Sequence, residues 1–134
     1  MKTFELAPEM LTLRGEFYPT GYFFVMLPTA DDARKLEQDL KAADVTEPDM
    51  LYLTPEAVLE KVAPTTAHHG EAMPSVGTES ATALRYRELA QQGHCAVMVR
   101  PDASRDADAI MAVIRRSPFS IAEKYRLLAI EDMA

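Results

Sequence analysis

VMLPTADDA at residues 25–33 returns in altered form as VMVRPDASRDA at residues 97–107. In each copy a Val-Met pair lies in an apolar run, a Pro follows, and an Asp-Ala step opens a pattern of helical period. A Pro cannot donate to a strand ladder, and carboxylates in a first helical turn are favoured by the helix dipole, so each copy reads as a strand turning into a helix. A second apolar run follows each helix, MLYL at 50–53 and KYRLLAI at 124–130. Two strand–helix–strand units in tandem predict an α+β, ferredoxin-like fold: a duplicated βαβ with a four-stranded antiparallel sheet, helices on one face, and an inserted helical segment between the halves.

Working outward from this pair, the 134 residues read as a single domain. Residues 1–19 form an N-terminal arm, 20–53 the first βαβ unit, 55–93 the helical insertion and 94–132 the second unit. Thr20 to Leu27 is aromatic and β-prone, and Pro28 stops it. Thr29 is a fit N-cap for a helix whose apolar stripe is Ala33, Leu36, Leu40 and Ala43. In the insertion, Thr54-Pro55 opens a short helix over 55–62, residues 63–77 read as a mobile loop, and Thr78 to Gln92 is helical with Gly93 as its stop. Ala107, Ile110, Met111 and Ile114 form the stripe of the last helix.

The formal charge of −7 speaks against nucleic acid, whose phosphates need clustered Lys and Arg. That charge is lopsided: residues 1–62 carry 6 basic and 12 acidic side chains, residues 63–134 carry 8 and 9. A solvated acidic helix face over 31–49 accounts for the excess. No apolar run approaches the roughly 20 residues that span a bilayer, so no membrane association is expected. Cys95 has no partner for an internal disulfide and no signal-like leader opens the sequence, which together lead to the expectation of a cytoplasmic protein.

Side chains alternate along a strand, and the repeat fixes which ones share a face. Phe23, Val25 and Leu27 join Cys95, Val97 and Val99 on the face expected to lie under the repeat helices. Tyr22, Phe24 and Met26 join His94, Ala96, Met98 and Arg100 on the other. This second face is too apolar to stand in water on a soluble monomer. It is covered either by the inserted helix 78–92, through Ala81, Leu84 and Leu89, or by a second subunit in a homodimer, and a small-molecule ligand is the third possibility. Tyr22, Phe24, Met26, His94, Met98 and Arg100 are therefore the candidate ligand-binding or interface residues.

Other chemistry is thin. His68, His69 and Glu71 could ligate a metal, but no CxxC or HExxH spacing supports it, and the adjacent His94 and Cys95 point to opposite faces; no metal site and no cofactor are expected. Cys95 on the core side packs as a small hydrophobe rather than a nucleophile. The aromatic run Tyr22-Phe23-Phe24 invites base stacking, yet the partner strand HCAVMVR lacks the basic and aromatic residues that RNA binding uses. Arg100, Arg105, Arg115, Arg116, Lys124 and Arg126 are the only basic concentration, without a Gly-rich phosphate loop.

The strand–Pro–acidic helix pattern at 20–53, with AVMVRPDASRDADAIMAVIRRSPFSIAEKYRLLAIEDM at 96–133, resembles bacterial general-stress and related small proteins built from such repeats. The resemblance implies a ferredoxin-like fold and a stress context, and it brings no catalytic residues with it. The expected function is a non-enzymatic regulatory or association module. The alternatives are a small-molecule-binding protein or a small enzyme using His94 beside Tyr22 over the open face.

Overall fold

The computed structural model describes residues 2–3, 19, 21–43, 49–62, 78–101, 104–125 and 130–132. Six strands form one sheet: β1 (Lys2–Thr3), β2 (Phe23–Leu27), β3 (Asp49–Leu53), β4 (Cys95–Arg100), β5 (Ile121–Tyr125) and β6 (Ile130–Asp132). They lie in the order β1-β3-β4-β2-β5-β6, with β1 parallel to β3 and every other pairing antiparallel. The four central strands carry the two βαβ units, and their order is that of a ferredoxin-like sheet. The repeat pairs with itself: Val25 stands opposite Val97, Phe24 opposite Met98 and Met26 opposite Ala96.

Helix α1 (Ala30–Ala42) starts where the sequence places it. The Thr29 hydroxyl accepts the Asp32 amide at 3.1 Å, with Asp31 and Asp32 in the first turn, an N-cap worth about 1 kcal/mol. Ala33, Leu36 and Leu40 are its buried stripe. The last helix, α4 (Ser104–Arg116), contributes Ile110, Val113 and Ile114. Both lie on the face of Phe23, Val25, Leu27, Cys95, Val97 and Val99, and together these residues make the first core.

The insertion runs through α2 (Pro55–Ala57), continues as a π-helical turn over Val58–Val62, and includes α3 (Thr78–Gln91). Thr54 caps α2 by accepting the Ala57 amide at 3.1 Å. At the far end of α3 the chain turns through Gly93 at φ 93°, which places the His94 amide 3.0 Å from the Leu89 carbonyl. A side chain in this left-handed conformation is strained, which is why a Gly closes the helix.

Four differences separate the sequence reading from the fold. The expected four-stranded antiparallel sheet is extended at both edges, by β1 parallel to β3 and by β6 antiparallel to β5, while the inserted segment supplies one of the two expected coverings of the second face, Val58, Val62, Tyr86 and Ala90 packing on Tyr22, Phe24, Met26, Ala96 and Met98 as a second core. Leu84, expected to help cover that face, is 49% exposed on the outer side of α3. The expected final strand 124–130 is two strands, since Ile121 to Tyr125 pairs with β2 and Ile130 to Asp132 returns along its other edge. The segment 55–62 is only briefly α-helical before its π turn. The loop 63–77, with His68, His69 and Glu71, lies outside the described residues.

Candidate functional site

The face opposite α1 and α4 gathers most of the candidate residues. Phe24, Met26 and Met98 are fully buried and Tyr22 is nearly so, all within the second core. They alternate with the first-core residues along β2 and β4, so the facing read from the repeat is the facing found. The covering is intramolecular, which removes the reason the sequence offered for a second subunit on that face.

α3 touches this face through a narrow set of side chains. The Tyr86 ring stacks on Phe24 with centroids 4.2 Å apart and planes inclined by 27°. Its hydroxyl lies 2.7 Å from the Tyr125 hydroxyl in the buried interior, the pairing a buried phenol needs. Thr82 and Ala90 lie one turn to either side of Tyr86, and both are buried. Glu123 stands opposite Phe24 in the sheet register, two residues before Tyr125 on the same face, and only 5% of its surface is exposed. Phe24, the paired hydroxyls of Tyr86 and Tyr125 and the buried Glu123 thus lie together in the core beneath α3.

His94 and Arg100 are not part of one site. They flank β4 at its two ends, six residues apart, roughly 20 Å along an extended strand. Arg100 lies over the Tyr22 ring, 5.3 Å from its centroid, and at the same end of the sheet Lys124 lies over Phe23 at 4.9 Å. At the opposite end the half-buried His94 Nδ1 is 2.6 Å from Ser120 Oγ. Since Ser120 donates its amide to the Met26 carbonyl at 2.7 Å, the imidazole ties the start of β4 to the start of β5 across the end of β2. The basic residues are likewise split: Arg115 and Arg116 end α4, whereas Arg100 and Lys124 sit at the other end of the sheet.

No family model, curated protein or solved structure matches this chain. Its chemistry is therefore read from its own residues. Among the described residues no three His, Cys, Asp or Glu side chains converge as a metal site, and no helix is long and apolar enough to cross a membrane.

Cys95 lies on the first-core face, as expected, with its thiol 3.3 Å from the Thr29 carbonyl and 3.6 Å from that of Leu27. Burial pushes the thiol above its ordinary range, partly offset by a hydrogen bond with Tyr52. Burial raises the Tyr52 phenol as well, with the neighbouring Cys95 adding to the effect. Unfolded thiols ionise near pH 8.5 and phenols near pH 10, so the unfolded chain loses these protons first. Both groups then contribute stability that is full below about pH 8.5 and declines as pH rises further. Urea titrations at pH 7.5 and 10 should show a lower midpoint at pH 10, and a chromogenic disulfide reagent should label Cys95 much more slowly in the folded protein than in urea. Rapid labelling of the folded chain would contradict the burial.

Thr82, Tyr86, Glu123 and Tyr125 were not among the candidates read from sequence. The helical spacing of Thr82, Tyr86 and Ala90 carries a signal for the α3 contact. The alternation of Ile121, Glu123 and Tyr125 carries one for β5, hidden by placing the strand three residues late.

Proposed function

We propose that this protein is a non-enzymatic regulatory binding module, in which α3 closes the aromatic face of a ferredoxin-like sheet. The observation that carries the reading is the arrangement of that face. Between His94 and Arg100, which are too far apart to act on one substrate, it is filled by apolar side chains, one aromatic stack and the buried Thr82, Glu123 and Tyr86–Tyr125 hydroxyl pair. Among the described residues its titratable groups, Glu123 and the Tyr86–Tyr125 hydroxyl pair, are buried beneath α3 rather than open to a substrate, which supports a role in association over chemistry on this face. The resemblance to general-stress-type proteins supports a bacterial, cytoplasmic and stress-related setting for this role.

Incubation of the purified protein with a small-molecule extract of bacterial cells, followed by mass spectrometry, tests the reading. A binding module enriches a compound and leaves its amount unchanged. Protein-dependent consumption of a compound, with a product appearing, would overturn it.

One observation favours a small enzyme as the second reading. His94 Nδ1 lies within hydrogen-bonding distance of Ser120 Oγ, the contact by which a base activates a hydroxyl nucleophile. A fluorophosphonate probe should then label Ser120 and fail to label the Ser120→Ala variant; an unlabelled native protein removes this reading.

A further inference from the structure

We draw no further inference here: the strongest candidate, the part-buried His94–Ser120 side-chain pair at the end of the sheet where the chain enters β4 and β5, belongs to the enzyme reading already given with its own test, and nothing among the described residues beside it points to a ligand.

Discussion

Removing residues 55–94 and joining Thr54 to Cys95 through an Asn-Gly turn should leave a chain that self-associates strongly. The register makes the design specific: Leu53 already pairs with Ala96, so Thr54 and Cys95 are the next opposed pair and a two-residue hairpin turn closes them. The shortened chain keeps the βαβ repeat, α1, α4 and the first core. It loses Val58, Val62, Tyr86 and Ala90, and with them the cover over Phe24, Met26, Ala96 and Met98. An apolar sheet face of that kind is a docking surface for any similar face. The variant should bind a hydrophobic dye and sediment, relative to its own mass, as a larger species than the full chain does. A shortened chain that stays monomeric at high micromolar concentration without binding dye would show that the insertion is not what keeps this face out of water.

The prominence of the insertion also explains what could and could not be seen in the sequence. The repeat at Val25 and Val97 is legible because both copies face the same physical demand: a buried strand that must stop at a Pro and enter a helix. Once the pair is aligned, strand alternation sorts Phe23 from Phe24 and Cys95 from Ala96 with no further information, and the two cores are separated accordingly. The orientation of α3 is not legible in the same way. Its sequence carries Leu84 and Leu89 alongside Thr82, Tyr86 and Ala90, so apolar residues occur all round it and two stripes are available. Leu is the stronger hydrophobe, which favours the stripe containing Leu84. The structure selects the other because Tyr86 meets both a ring and a hydroxyl on the sheet, partners that lie 62 and 39 residues away in the chain. The separation of His94 from Arg100, by contrast, follows from strand length alone. Six extended residues cannot fold their ends into one pocket, and this was already implicit in HCAVMVR.

The seat of α3 should also yield a large and divisible effect on stability. Tyr86→Ala removes the one large fully buried side chain that the described part of α3 contributes and leaves a void above Phe24. Truncation of a buried aromatic costs about 3–5 kcal/mol, transfer and cavity together. Tyr86→Phe keeps the ring and its stack and removes only the hydroxyl opposite Tyr125, for about 1–2 kcal/mol. Tyr125→Phe removes the other half of the same hydrogen bond for a similar cost. In the double Phe variant neither hydroxyl remains to be satisfied by the other, so its loss should fall short of the sum of the single losses by about 1 kcal/mol. Urea denaturation of the four proteins measures every corner of this cycle. Strict additivity would mean that the 2.7 Å contact contributes no coupling, and that Tyr86 holds α3 by its ring rather than by its hydroxyl. Non-additivity, with Tyr86→Ala the most damaging single change, is the signature of a helix seated by both a stacked ring and a paired hydroxyl.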